Sequence, residues 1–242
     1  RCRPEEGFGF CKHSSGREQA QYLGGYPSIA SPILLRDKGV YGGLDGCLYV
    51  VPLSGKGRVR SFKTAFGSPI SAPAAVCDGR VYFGCEDGYL YILGPNGNAP
   101  LPSRNLQIEK IRSPLTGKLA DSKYDWFTNF GNQRSTNSND QGLRPPLKMN
   151  WIRRYKGTFK HMPVCGGGRM YTHTAEGQIF AVEQETGRLL WRRYWPGVHV
   201  SFTGPLYYKE RLLVPQAGLK GSRMRCLDAA TGETVKVYPD TE

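Results

Sequence analysis

The sequence has no apolar run approaching the roughly 20 residues that a transmembrane helix requires, and its seven cysteines include no Cys-x-x-Cys spacing. The first absence predicts a chain without a membrane span. The second leaves a zinc ribbon, a thioredoxin-type redox site and a c-type haem without support. Histidine is also scarce, and the four histidines have no carboxylate at a repeated offset. The sequence therefore predicts no catalytic, cofactor-binding or metal-ligating residues.

Acidic residues are fewer than basic ones: 20 Asp and Glu stand against 33 Lys and Arg, for a net charge of +13. The excess is concentrated in residues 101–160, which carry twelve basic and four acidic side chains. A basic loop beside aromatic residues is one way to contact a polyanion. The candidate contacts are Arg144, Lys148, Arg153 and Arg154. Because no nucleic-acid module motif is present, we do not favour nucleic acid, and we expect a solvated loop or a protein-facing surface.

The pairing of the cysteines stays open. Cys77 and Cys85 border the two turns of one predicted hairpin, so they lie at opposite ends of a strand and cannot form a disulfide. Cys47 and Cys85 lie near equivalent turns of successive repeats, where a bridge is sterically allowed. Seven is an odd number, so the cysteines cannot all pair within one chain.

Turn-forming residues are abundant, and they mark an internal repeat. Five prolines stand at intervals of 41, 41, 49 and 42 residues: Pro32, Pro73, Pro114, Pro163 and Pro205. A period of that size indicates an array of similar units. Short β-branched and aromatic runs separated by steps such as Asp45-Gly46 and Asp87-Gly88 are typical of hairpins. The sequence predicts an all-β fold with one four-stranded antiparallel sheet in each period of about 42 residues.

The last two repeats end in a shared pattern. Its residues are Ala181, Glu183, Thr186, Gly187 and Trp191 in one repeat, and Asp228, Thr231 and Gly232 in the next. Cys226 and Lys236 occupy the Ala and Trp places of the second copy. The pattern resembles Ala-x-Asp-x-x-Thr-Gly-x-x-x-Trp, the tryptophan-docking motif of β-propellers with repeats of the pyrroloquinoline-quinone (PQQ) type. The first two repeats lack it.

The resemblance implies a β-propeller whose four-stranded blades pack around an axis. It also implies that the docking motif is structural, because its Thr-Gly step makes a turn and its Trp packs between neighbouring blades. Propellers of this family usually have eight blades, so the chain is expected to be a partial propeller from a longer protein. The resemblance further implies a periplasmic or secreted location.

The spacing of the repeats divides the chain into four expected segments. Residues 1–27 are a loop or the end of a preceding element, and residues 28–99 are two blades. Residues 100–124 are a connector or a degenerate blade. Residues 125–242 are an opening strand and two further blades, since the aromatic run from Asp125 is similar to the opening stretch of such propellers.

Within the last segment, residues 135–141 are mostly polar. We expect them to form a loop with few buried contacts.

Two functional classes follow from the resemblance. The first is a non-catalytic PQQ-like β-propeller that acts as a binding or scaffold module, with a protein or further blades of its parent chain as partner and without a cofactor. The alternative is a fragment of a PQQ-dependent quinoprotein dehydrogenase, in which PQQ and Ca²⁺ would occupy the central funnel. Those dehydrogenases commonly carry an adjacent Cys-Cys pair, which this sequence lacks. The first class is favoured, because fold alone does not imply catalysis.

Overall fold

The computed structural model describes residues 7–11, 18–23, 27–111, 119, 125–128, 130–196, 198–200, 204–218 and 222–239. Within these residues the secondary structure consists of strands and turns, with no helix. A membrane-spanning helix is accordingly not found in the described part of the chain. Strands β1 (Gly7–Cys11) and β2 (Glu18–Leu23) form a hairpin, which falls in the segment predicted to be a loop or the end of an element.

Four antiparallel sheets follow, and each is called a blade. Blade 1 contains β3 (Ile33–Leu34), β4 (Lys38–Gly42), β5 (Cys47–Pro52) and β6 (Arg60–Lys63). Blade 2 contains β7 (Ala75–Cys77), β8 (Arg80–Gly84), β9 (Tyr89–Gly94) and β10 (Lys148–Arg154). Blade 3 contains β11 (Val164–Gly166), β12 (Arg169–His173), β13 (Gln178–Glu183) and β14 (Leu189–Tyr194).

Blade 4 has a fifth strand. Its regular path is β16 (Leu206–Tyr208), β17 (Arg211–Gly218), β18 (Arg223–Asp228) and β19 (Thr234–Pro239), and β15 (Val198–Val200) pairs with the far half of β17. The predicted all-β architecture of antiparallel four-stranded blades is confirmed. Each blade begins with a short inner strand that follows one of the repeated prolines. A proline has no N–H to donate to the hydrogen bonds of a sheet, so it is tolerated just before a strand but not inside one.

The Asp-Gly turns between the second and third strands repeat in atomic detail. Asp45 accepts hydrogen bonds from the Cys47 amide (3.0 Å) and the Tyr49 hydroxyl (2.7 Å). Asp87 accepts the same pair from the Tyr89 amide (3.0 Å) and the Tyr91 hydroxyl (3.1 Å). The glycine that follows each aspartate has a positive φ, of 76° at Gly46 and 82° at Gly88. These turns fix the register of the hairpins, as the sequence pattern predicted.

Blade 2 is completed by a strand that is distant in sequence. Its fourth strand, β10, pairs with β9, although residues 95–147 separate the two strands in the sequence. The strand thus crosses the boundary expected near residue 124, and the division of the chain into domains remains a prediction. Residues 112–118 and 120–124 lie outside the described residues, so the choice between connector and degenerate blade stays open as well.

The core lies between the blades. One buried cluster joins blades 1, 2 and 3, and a second joins blades 3 and 4. Aromatic side chains supply much of the first cluster, and the largest fully buried ones include Trp126, Tyr82, Tyr91 and Phe159. Because each cluster contains residues from neighbouring sheets, no single blade buries its apolar faces alone.

Candidate functional site

The docking-motif residues lie at the interfaces between blades. Trp191 of the motif donates its indole N–H to the Ala229 carbonyl of the next blade at 3.0 Å. Trp151, on the last strand of blade 2, donates in the same way to the Gln184 carbonyl of blade 3 at 2.9 Å. The indole of Trp191 also covers the backbone of Gly232, where an added Cβ would lie 2.6 Å from the ring. The fit requires glycine at that position.

The remaining motif residues form the turns that receive these rings. Gly187 packs against Trp151 as Gly232 does against Trp191, and both glycines have a positive φ near 70°. Thr186 donates its hydroxyl to the Glu183 carboxylate, and Asp228 accepts the Thr231 amide at 3.0 Å. Ala181 is buried in β13, directly opposite Trp191 in β14. All eight docking-motif residues take part in the packing between blades or in the turns that receive the indole rings.

The centre of the molecule is occupied by residues 125–128 and 130–141, which we call the axial segment. Trp126 exchanges two backbone hydrogen bonds with Cys165 of β11, at 3.0 and 2.8 Å. The carbonyl of Phe127 accepts the Tyr207 amide of β16 at 2.9 Å. The segment therefore begins between the inner strands of blades 3 and 4, antiparallel to β11.

The same segment then returns along the inner strands of blades 1 and 2. The Leu34 amide of β3 donates to Asn137 (3.0 Å), and the bridge between Leu34 and Ser138 is parallel. The side-chain amides of Asn139 and Gln141 both donate to the Val76 carbonyl of β7, each at 3.1 Å. The axial segment thus bonds to the inner strands of all four blades. Within residues 135–141, Ser135, Thr136 and Asp140 are exposed, whereas Gln141 is buried. Asn137, Asn139 and Gln141 bond to inner strands, so this part of the segment has more contacts than a solvated loop.

A small cavity of about 160 Å³ lies where the chain enters the four inner strands. Ser31, Pro73, Lys160 and Gly204 line it, and each of these precedes the inner strand of a different blade. Phe130, from the turn of the axial segment, completes the wall and is 46% exposed. The cavity marks the blade axis at this end of the molecule.

The polar groups at this cavity are few. Lys160 lies 3.6 Å from the Glu86 carboxylate. His161 lines the cavity and its ring meets that of His173 edge to face, with centroids 4.1 Å apart. His173 is fully buried, and burial lowers the pKa of its imidazole well below the usual value, with the neighbouring His161 adding to the shift. The inner histidine is therefore neutral at physiological pH.

Comparison with protein families matches residues 148–239 to the family described as outer membrane protein assembly factor BamB. This chain carries PQQ-like repeats. Curated protein sequences give no significant match. The PQQ-like propeller is similar to the solved structure of BamB from Moraxella catarrhalis, with a TM-score of 0.56 and 17% identity. The match covers 92% of this chain and 53% of that one, so this chain spans about half the length of its relative.

Two further structures resemble the PQQ-like propeller. The quinohemoprotein alcohol dehydrogenase from Comamonas testosteroni matches with a TM-score of 0.56 and 14% identity, over 89% of this chain and 35% of that one. The C-terminal WD40 domain of Sif2 matches with a TM-score of 0.53 and 10% identity, over 94% and 52% of the two chains. Identities this low show the β-propeller fold alone.

Three of the four basic residues predicted to contact a polyanion lie on β10 of the PQQ-like propeller: Lys148, Arg153 and Arg154. Arg153 lies 3.5 Å from the Glu109 carboxylate, and Arg154 donates to the Leu106 carbonyl at 3.2 Å. Arg144 and Lys148 are exposed. The contact role of all four residues stays a prediction.

Two open clefts lie beside blade 3, on the side of blade 2. One, of about 550 Å³, is lined by Lys156, Gly157, Glu176, Gln178, Arg192 and Tyr194. The other, of about 630 Å³, is lined by Leu106, Gln107, Glu109, Ile152, Arg153, Glu183, Thr186 and Arg188. Both draw on β10 or the turn after it together with blade 3. These clefts are grooves between blades 2 and 3.

Sequence reasoning missed the axial cavity because its lining residues come from five separate places in the chain. The repeated prolines were the available signal, since four of the five stand just before an inner strand: Pro32, Pro73, Pro163 and Pro205. Within the described residues, no group of three or more His, Cys, Asp or Glu side chains is placed to hold a metal ion.

Proposed function

We propose that this PQQ-like propeller is a non-catalytic binding or scaffold module that contacts protein partners in the periplasm or outside the cell. The observation that carries the proposal is the axial segment. Its backbone and side chains hydrogen-bond to inner strands of all four blades. This supports a role without a cofactor, because the family resemblance implies that PQQ would lie in the central funnel of a quinoprotein. The similarity to BamB supports a binding role.

The residues at the axis do not fit PQQ. Pockets that enclose small molecules and cofactors have volumes of about 300 to 1,000 Å³, whereas the axial cavity measures about 160 Å³. PQQ is a tricarboxylate, and Lys160, the cation of this cavity, already lies beside Glu86. A cavity of this size suits one side chain of a partner protein. The alternative, a dehydrogenase fragment, draws support from the fold of the quinohemoprotein neighbour.

Titration with PQQ and Ca²⁺ separates the two candidates. We expect neither a saturable absorbance change nor reduction of a redox dye with an alcohol or aldose as substrate. Stoichiometric PQQ binding would contradict the proposal and establish the dehydrogenase alternative.

The binding role is tested with a matched pair of variants once a partner has been isolated by affinity capture. Phe130→Ala removes the aromatic wall of the axial cavity, whereas Leu101→Ala removes an exposed side chain (47%) outside it. A partner that uses the cavity should bind Phe130→Ala at least about tenfold more weakly, the effect of losing one interface anchor. Equal binding by both variants would exclude the axial cavity as the contact.

A further inference from the structure

Two buried cysteines meet at the interface between blades 2 and 3. Cys77 is the last residue of β7, and Cys165 is the central residue of β11. Both side chains are fully buried, and Cα atoms of the two inner strands approach within 8 Å. The two strands belong to different blades, so a bond between these side chains would join two sheets.

The pleat directs the two side chains toward each other. Val164, beside Cys165 in β11, packs in the cluster shared with blade 4. Because successive residues of a strand point to opposite faces, Cys165 faces blade 2, and it belongs to the cluster that includes that blade. The Sγ of Cys77 accepts a hydrogen bond from the Gln184 amide of blade 3 at 3.4 Å, so it faces blade 3.

We propose that Cys77 and Cys165 form a disulfide bond when the chain folds in an oxidising solution. The oxidant is a small-molecule disulfide such as oxidised glutathione. An Sγ–Sγ bond forms between the two cysteines and the S–S bond of the oxidant breaks. The two electrons and the two thiol protons pass to the oxidant, which leaves as two thiol molecules.

The timing follows from burial. Desolvation raises the pKa of the Cys165 thiol well above its ordinary value, and Cys77 and the nearby carboxylates of Asp125 and Asp78 raise it further. The thiolate is the species that attacks a disulfide, so exchange is slow once the blades have packed. The bond must therefore form during folding, and oxidant added to the folded, reduced protein should act at least about tenfold more slowly.

The bond closes a loop from residue 77 to residue 165, which contains β8 to β10 and the axial segment. A cross-link over so long a loop restricts the unfolded chain strongly and so stabilises the folded state. The covalent tie would lie between neighbouring inner strands. It would hold blades 2 and 3 together independently of the Trp151 contact.

Peptide mapping tests the bond directly. The full chain is reduced and unfolded, refolded with oxidised and reduced glutathione, blocked with N-ethylmaleimide and digested with trypsin without reductant. Residues 64–80 and 161–169 are tryptic peptides with one cysteine each, Cys77 and Cys165, so a linked pair identifies the bond. Alkylation of both thiols, pairing of either with another cysteine, or a bound metal ion in place of the bond would overturn the proposal.

Thermal unfolding supplies the second readout. Cys77→Ser and Cys165→Ser should melt at the same temperature with and without oxidant, whereas the parent gains roughly 5 to 10 °C on oxidation. Cys85→Ser is the matched control, because Cys85 is equally buried but directs its thiol to the Ser68 carbonyl (3.3 Å). The control should keep the gain. If a serine variant does not fold, the parent's own melting with and without oxidant decides, and no gain there would contradict the proposal.

Discussion

Trp191 shows how one residue joins two blades. Its indole donates to Ala229, covers Gly232 and lies in the cluster shared by blades 3 and 4. We expect Trp191→Ala to lower the free energy of unfolding by roughly 3 to 5 kcal/mol, because it leaves a cavity and an unpaired carbonyl. Urea unfolding measures the change. Tyr194→Ala, on the same strand but 53% exposed, should change stability by less than about 0.5 kcal/mol. A Trp191→Ala variant as stable as its parent would disprove the docking role.

His173 should make stability depend on pH. Its pKa in the folded state lies well below the value of about 6.5 for an unfolded chain, because burial, and then His161, disfavour the charged form. Below about pH 6.5 His173 is protonated in the unfolded chain but stays neutral in the folded protein. The contribution of His173 to the stability of the folded protein is therefore complete above that pH, and it is lost as the pH falls.

For a single group this loss approaches about 1.4 kcal/mol per pH unit. We expect His173→Asn to flatten the fall in stability between pH 7 and pH 5, as measured by urea unfolding at each pH. The same slope in parent and variant would show that other groups cause the acid sensitivity.

At the scale of single elements, the blades were predictable and the axial segment was not. The hairpins follow from local signals such as Asp87-Gly88, whose turn geometry depends only on neighbouring residues. Asn139 and Gln141 carry no such signal, because a polar side chain is predicted to be solvent-exposed unless the strand that it contacts is known. Here their amides satisfy the carbonyl of Val76, which is more than sixty residues away in sequence.

The axial segment should be held by Gln141 in particular. Its side chain donates to the Val76 carbonyl (3.1 Å) and accepts the Gly79 amide (2.9 Å), and the residue is buried. We expect Gln141→Ala to cost about 1 to 3 kcal/mol, because two backbone groups lose their partner. Hydrogen exchange should show faster exchange of the Gly79 amide in this variant.

The control for this prediction is Gln107→Ala, an exposed position on the cleft between blades 2 and 3. It should leave both stability and exchange unchanged. Fast exchange of the Trp126 and Asn139 amides in the parent protein would contradict the placement of the whole axial segment.

At the scale of the whole molecule, the repeat period predicted the propeller and its blades, but not how the blades are linked. The first core cluster joins blades 1 to 3, the second joins blades 3 and 4, and the axial segment contacts every inner strand. We expect a single cooperative unfolding transition, with equal calorimetric and van't Hoff enthalpies. Two resolved transitions in differential scanning calorimetry would show that the blades unfold independently.

The late position of β10 in the chain has a consequence for how this protein is made. Blade 1 is complete by Lys63, but blade 2 receives its last strand only at residues Lys148–Arg154. Long-range pairing of this kind raises the contact order and slows folding. During synthesis β9 would leave the ribosome without its partner and remain an unpaired edge while residues 95–147 are translated. The unpaired backbone groups of such an edge can form hydrogen bonds with other chains and cause aggregation. A chaperone that covers the edge would therefore raise the yield of folded protein.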